Sequence, residues 1–293
     1  LQSETLSLNE VASELLGEKK IEWEHVHSSN IKNWDKYYEY NLKDSQLTYK
    51  LADKIWPDLY EFTRIIEEPL FDTSRYSMSN QVESYIIHNL GKFNEITEKR
   101  PINREIGERR AEEKYEGAYV YTPIPGLYEN VVFFDFTSMY GSVIVSFNLS
   151  KSSYLEKKEK NVLEVDIGEK VYFSKDKSFF SEMLEEIIIK RKKYKSEYNK
   201  DPSGLLKARS NAFKLLANAT YGYQGFFGAR YYCREAAAAT AALARKEIKK
   251  TIKEIENKGY KIVYSDTDSI AFLQGKKNKK DVLDLLKEIN DKL

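Results

Sequence analysis

The sequence predicts an α+β fold: an antiparallel sheet with packed helices, carrying an inserted antiparallel two-helix hairpin and preceded by a helical segment. Three observations carry this expectation. Val131-Val132-Phe133-Phe134-Asp135-Phe136 is a continuous apolar run holding one carboxylate, the pattern of a fully buried strand. Far downstream, residues 261–264 and 270–273 are strand-like and flank Ser265-Asp266-Thr267-Asp268-Ser269, which reads as a β-hairpin with two acids at its tip. Between them, two helix-forming stretches over 178–199 and 205–220 are joined by Asp201-Pro202-Ser203-Gly204, a strong turn signal, and should lie antiparallel.

The remaining elements follow in order. Trp34, Tyr37, Tyr38, Leu42, Leu47, Leu51 and Ile55 recur at three-to-four spacing after Asn30, which predicts one long amphipathic helix ending near Pro57. Residues 62–103 continue as a mixed, helical stretch. Residues 98–113 are dense in charge, with Pro101 and Gly107 as breakers, and read as a connecting loop. A helix over 234–257 opens on the alanines 236–239, the best helix formers, and Gly259 stops it. A last amphipathic helix is expected over 281–293, and no internal repeat is visible.

Composition narrows the function classes. With 293 residues and 41% hydrophobic content, two or three connected units with buried cores are expected. Lys+Arg 47 against Asp+Glu 46 leaves a net charge of +1, so any basic surface must be local, as in Lys190-Arg191-Lys192-Lys193. A single cysteine, Cys233, excludes an internal disulfide and a cysteine-rich zinc cluster, and predicts a reducing, intracellular setting: cytoplasm or nucleoid in a prokaryote, nucleus in a eukaryote. No apolar run approaches the ~20 residues of a membrane span, so no membrane partner is expected.

Three constellations can carry chemistry. Asp135, Asp266 and Asp268 sit on strand ends that one sheet could bring together. Converging carboxylates repel unless a dication neutralises them, and Mg²⁺ prefers such oxygens together with substrate phosphates. In a two-metal site one ion activates a hydroxyl nucleophile and the other holds a triphosphate. The plainer alternative is that Asp135 caps a turn and Asp-Thr-Asp is ordinary turn chemistry. On the helical hairpin, Arg191 and Lys195 share a face at i, i+4, as do Lys214 and Asn218, and Arg191 and Lys214 stand equally far from the turn. Such a ladder suits a triphosphate, although a solvated basic face has the same pattern. Finally, Tyr140 lies just beyond Asp135, while Tyr221 and Gly222 close the second hairpin helix. Tyr140 could pack on a deoxyribose, and Gly222 would let backbone approach a base pair closely; a tyrosine can equally be core or surface.

Taken together and in this order, these segments resemble the three polymerase motifs of family B DNA polymerases, the archaeal and eukaryotic replicative type. The first motif is Asp135-Phe136-Thr137-Ser138-Met139-Tyr140-Gly141-Ser142-Val143-Ile144, where the family usually has Leu and Pro on either side of the Tyr; Gly141 is read as loosening a turn that Pro would fix. The second is Lys214, Asn218, Ala219, Thr220, Tyr221 and Gly222, with Ala219 for Ser. The third is Tyr264-Ser265-Asp266-Thr267-Asp268-Ser269, with Ser265 for Gly. The resemblance implies that Asp135 and Asp268 bridge two Mg²⁺ ions (or Mn²⁺), with Asp266 less central and the Phe136 carbonyl as a further ligand. It implies triphosphate contacts from Arg191, Lys195, Lys214 and Asn218, sugar discrimination by Tyr140, and contacts to the nascent base pair from Tyr221 and Gly222. Tyr115-Glu116-Gly117-Ala118 resembles the family's Tyr-x-Gly-Gly element, with Ala118 as a departure.

Tyr40-Asn41-Leu42-Lys43-Asp44 resembles the last motif of the family's 3′–5′ exonuclease, with Tyr40 and Asp44 on one helix face. No Asp-x-Glu element precedes it, so proofreading by this chain alone is not expected. The implied organisation is an exonuclease remnant over 1–61, a helical connector over 62–114, palm over 115–175 and 227–293, and fingers over 176–226. Primer-template DNA and dNTPs are the implied partners, together with a thumb-containing C-terminal polypeptide or region; a sliding clamp is a further candidate. The rival readings are a polymerase-like scaffold without catalysis and a nuclease built on Tyr40 and Asp44.

Overall fold

The structure is a computed structural model and describes residues 5–23 and 30–292. It opens on α1 (Leu8–Leu16), whose N-terminus is capped by Ser7 and whose end turns on Gly17 at φ 69°. Next comes α2 (Trp34–Ile66), capped by Asn33. Pro57 lies inside this helix and does not end it. A proline removes one amide donor and crowds the preceding turn, but the turns beyond it are held by packing: Glu61, Phe62 and Ile66 are all buried. The Glu61 carboxylate, only 2% exposed, accepts from Arg64 at 3.0 Å and from Arg209, far along the chain, at 2.7 Å.

After α3 (Leu70–Thr73), α4 (Met78–Asn89) and a 3₁₀ turn over Leu90–Phe93, the stretch expected to be a loop contains a helix, α5 (Asn103–Ala111). Pro101 precedes this helix and Gly107 is tolerated within it. Glu105 reaches back to the Ile102 amide at 2.8 Å, satisfying a donor that the first turn leaves open.

The main sheet comprises β1 (Val120–Tyr121), β2 (Val131–Asp135), β6 (Lys261–Asp266) and β7 (Ser269–Leu273) in the order β1-β6-β7-β2, with every pairing antiparallel. The expectation of a fully buried β2 is corrected: it is an edge strand, and Phe133 is 67% exposed. The continuous apolar run reports side-chain type; the edge position depends on strand order, which the run does not encode. Following β2 are α6 (Met139–Phe147) and a small sheet of β3 (Tyr154–Leu155), β4 (Val162–Asp166) and β5 (Lys170–Ser174) in the order β3-β5-β4, which the sequence reading did not resolve.

The helical hairpin is α7 (Phe179–Lys200) and α8 (Gly204–Gln224), then α9 (Arg234–Asn257) and α10 (Lys279–Asn290) complete the chain. Ser178 and Ser203 cap the hairpin helices, and Gly259, at φ 80°, follows α9 as expected. Two cores result. One joins the main sheet to α9 and α10 through Ile248, Ile252, Ile270, Phe272, Val282 and Leu285; the other packs α2, α4, α7 and α8 around Phe62, Ile86, Leu184, Ile187, Phe213 and Leu216. α6 belongs to both, with Met139 and Val143 in the first and Ile144 in the second.

Candidate active site

The three aspartates come from two loci of the same sheet. Asp135 ends β2 and pairs across the ladder with Ser269. Asp266 ends β6, and Asp268 lies in the Thr267-Asp268 turn into β7, where Thr267 takes φ 56°. The Phe136 amide donates to the Asp268 carbonyl at 2.8 Å, tying the residue after β2 to the hairpin tip. Sheet pairing thus does what sequence distance had left open.

The carboxylates differ in environment. Asp135 is exposed and Asp268 half-buried. The Asp268 carboxyl is pushed above the ordinary carboxylate range, first by desolvation and then by the charges of Asp135 and Asp266. Asp266 is engaged locally: one oxygen accepts from Thr267 at 2.8 Å, the other from Tyr264 at 3.1 Å. Among the described residues, no three His, Cys, Asp or Glu side chains form a closed metal-binding set. Mg²⁺ does not require one, since it is bound by one or two carboxylates and completed by substrate phosphates and water. Two mutually repelling carboxylates beside the anchored Phe136 backbone fit such an ion.

The helical hairpin approaches this sheet end unevenly. Ring contacts of Tyr194 and Lys190 with Phe213, and of Arg209 with Tyr194, bracket the register expected from the turn, so Arg191 and Lys214 stand at the same level of the hairpin. Lys195, Lys214 and Asn218 are exposed. Arg191 is half-buried and donates to the hydroxyl of Ser138, the αL residue that starts α6 just beyond Asp135. Its guanidinium is therefore bonded at the start of α6, three residues beyond Asp135.

Tyr140 and Tyr221 stack with ring centroids 4.1 Å apart and planes 11° from parallel. Burial raises both phenol pKa values, and for Tyr221 the bond to Tyr115 adds to the effect. The Tyr115 and Tyr221 hydroxyls are 3.4 Å apart. The Tyr115 segment is pinned in turn by Arg245, which donates to the carbonyls of Glu116 and Gly117. Tyr221 and Gly222 lie inside α8 and do not close it, because the helix runs on to Gln224. Gly222 is exposed, and a Cβ there would meet nothing within 4 Å, so packing within the chain does not require glycine. Gly141 lies inside α6 and not in a turn; a Cβ there would meet Ile188 Cδ1 at 3.5 Å, an ordinary contact.

Tyr40 and Asp44 do share a face of α2, and Lys20 joins them: its ammonium lies 2.7 Å from both the Tyr40 hydroxyl and Asp44 Oδ2. Asp44 Oδ1 is buried with no hydrogen-bond partner among the described residues.

Over residues 69–293 the chain matches the family model described as DNA polymerase family B. The chain belongs to DNA polymerase family B. It is 34% identical to DNA polymerase 1 of Pyrococcus abyssi (strain GE5 / Orsay), over 99% of this chain and 39% of that protein. It is 36% identical to the DNA polymerase of Thermococcus sp. (strain 9oN-7), over 87% of this chain and 34% of the relative. In three dimensions it resembles the family B DNA polymerase from the hyperthermophilic archaeon Pyrobaculum calidifontis, with a TM-score of 0.76 and 28% identity, covering 97% of this chain and 38% of that one. The chain thus spans about two-fifths of the length of the first of these family B relatives.

Two contacts lie outside what the motifs indicate. Tyr115 belongs to the Tyr-x-Gly-Gly-like element, but its partner Tyr221 is 106 positions away. Lys20 carried no signal in a chain with 47 Lys and Arg.

Proposed function

We propose that this chain carries the nucleotide-joining centre of a DNA-directed DNA polymerase, adding dNTPs to a primer 3′-hydroxyl on a DNA template. The observation that carries the reading is the meeting of Asp135 and Asp268 at one sheet end, with Arg191 of the helical hairpin reaching the adjacent Ser138.

In this reading Asp135, Asp268 and the Phe136 carbonyl hold two Mg²⁺ ions, for which Mn²⁺ can substitute, and Asp266 stays hydrogen-bonded to its own hairpin. Bound Mg²⁺ neutralises phosphate charge and eases deprotonation of the primer hydroxyl. Arg191 offers a planar fork to triphosphate oxygens, while Lys195 and Lys214 supply mobile point charges. Asn218, one helical turn from Lys214, contributes a neutral donor. The Tyr140 ring, held flat by Tyr221, forms a wall against which a deoxyribose packs and a 2′-hydroxyl collides. Gly222, where an added Cβ would meet no other part of the chain within 4 Å beyond its own helix turn, leaves space for a nascent base pair.

Primer-template DNA and a thumb-bearing polypeptide complete the proposed assembly. The test is primer extension by this chain joined to the portion of Pyrococcus abyssi DNA polymerase 1 that follows the aligned region. Asp135→Ala and Asp268→Ala should each lower Mg²⁺-dependent extension at least a hundredfold. Near-normal rates in either variant would remove the assignment, and extension-free, metal-independent DNA binding would favour a scaffold.

A further inference from the structure

We propose that Ser138 is a positioning residue whose hydroxyl holds the Arg191 guanidinium in place before an anion arrives, so that a triphosphate meets an arginine already ordered. The inference deepens the polymerase reading and rests on it only for the identity of the anion; the contact itself is made within the chain.

Arg191 does not stand on the solvated side of α7. Leu184, Ile187 and Ile188 precede it on the same helix face, the one that packs toward α6: Leu184 and Ile187 share a core with Ile144, and Ile188 lies against Gly141. Position 191 prolongs that apolar face, so the arginine is half-buried and its charged head emerges where α6 begins. The neighbouring Lys190 and Lys193 are paired, with Glu186 at 3.8 Å and Glu197 at 4.0 Å. Among the described residues no carboxylate pairs with Arg191, and desolvation alone lowers its pKa. A half-buried guanidinium without an anion is an uncompensated charge, and here its hydrogen bond goes to a neutral hydroxyl.

Ser138 carries the matching mark. It sits at φ 54° and ψ 47°, in the left-handed region where a non-glycine residue is strained. A serine directly before a helix ordinarily accepts from an amide of the first turn, yet Ser138 makes no such bond to α6. Its hydroxyl is turned to Arg191 instead. It engages Nη1 alone, and the guanidinium keeps further N–H groups in the same plane for a bidentate grip on phosphate oxygens. Ser138 therefore does not have to let go for the anion to bind. Ordering a rotamer-rich side chain weakens binding roughly two- to tenfold, and this is the loss that a held Arg191 avoids.

The test begins on the chain without nucleotide. In protein carrying nitrogen-15 arginine, with Arg191→Met to identify the signal, the Arg191 Nη groups should give separate, slowly rotating resonances. In Ser138→Gly these should collapse to the averaged signal of a free side chain. Glycine is the substitution of choice because it relieves the left-handed conformation while removing the hydroxyl. Calorimetric titration with Mg²⁺-free sodium triphosphate should then show Ser138→Gly binding roughly two- to tenfold more weakly than wild type. In the Arg191→Met background the same substitution should change the Kd by less than about twofold, because the effect runs through the guanidinium. A freely rotating Arg191 in the wild-type chain overturns the proposal. So do equal or tighter binding by Ser138→Gly, an equal loss in both backgrounds, as a disturbed α6 would give, and an absence of triphosphate binding by the wild type. Primer extension by the fused protein, this chain joined to the same portion of the Pyrococcus abyssi protein, separates the two readings. Extension with a free Arg191 sinks the positioning role alone; a held Arg191 with Ser138-dependent triphosphate binding and no extension sinks the polymerase assignment alone.

Discussion

Replacing Asp135 by Asn should make the chain more stable in EDTA and at the same time deaf to Mg²⁺. Asp268 is half-buried and its carboxyl is raised by desolvation and by Asp135. If the two carboxylates stand roughly 7 Å apart, an effective dielectric constant of roughly 40–80 gives about 0.6–1.2 kcal/mol of repulsion. Asp135 is exposed, so the lower figure is the better guide, about 1–3 °C in Tm for a chain of this size. Magnesium at roughly ten times its Kd should stabilise the wild-type chain by about 1.4 kcal/mol. Differential scanning fluorimetry with and without Mg²⁺ reads both effects. The pH dependence follows with its sign: Asp268 titrates higher in the fold than in the unfolded chain, so the folded state binds the extra proton and stability falls as pH rises from the ordinary carboxylate pKa through the raised one. Asn at 135 should flatten that fall. A variant less stable than wild type in EDTA, or one that keeps the full Mg²⁺ shift, would refute the reasoning about these carboxylates.

Arg209→Ala should destabilise the chain by about 2–3 kcal/mol in chemical denaturation, below the usual figure for stranding a buried charge because Arg64 remains beside Glu61; a loss under 0.5 kcal/mol would show that the pair does not hold α8 to α2. Cys233 is buried, with its thiol pushed up to about 12, so near pH 8 a thiol reagent should label it on the order of a thousandfold more slowly than the unfolded chain. Tyr140→Ala in the fused protein should reduce discrimination against ribonucleotides about tenfold or more in single-nucleotide insertion, and an unchanged preference would remove Tyr140 from that role. Lys43 and Lys50 hold the Glu18 carboxyl at about 2. Its contribution is therefore present above 4.5 and is lost as pH falls toward 2, so the Tm difference between wild type and Glu18→Gln should shrink across that window.

What the sequence made legible was local or motif-borne. The hairpin tip at Asp266 and Asp268, the turn at Asp201-Pro202-Ser203-Gly204 and the alanine-rich opening of α9 are each written in a few adjacent residues. Family resemblance joined Asp135 to them across the chain, which periodicity could not do. The misreadings share another cause. Pro57 and Gly107 are helix breakers by intrinsic preference, yet Phe62 and Ile66 hold the helix beyond Pro57 by burial. The apolar run of β2 looked buried, but exposure depends on which strands flank it. Tyr115 and Lys20 belong to contacts with residues 106 and 20 positions away, made by side chains of common type.

Because α6 contributes Met139 to one core and Ile144, wholly buried, to the other, the two cores share a beam. Loosening either end should be felt at the other, so the chain is expected to melt in a single calorimetric peak despite its two packing centres. The same beam begins one residue after the Ser138 that Arg191 touches. A displacement of the helical hairpin would therefore be passed to the backbone that follows Asp135, and under the proposed function triphosphate binding and carboxylate placement would be mechanically linked.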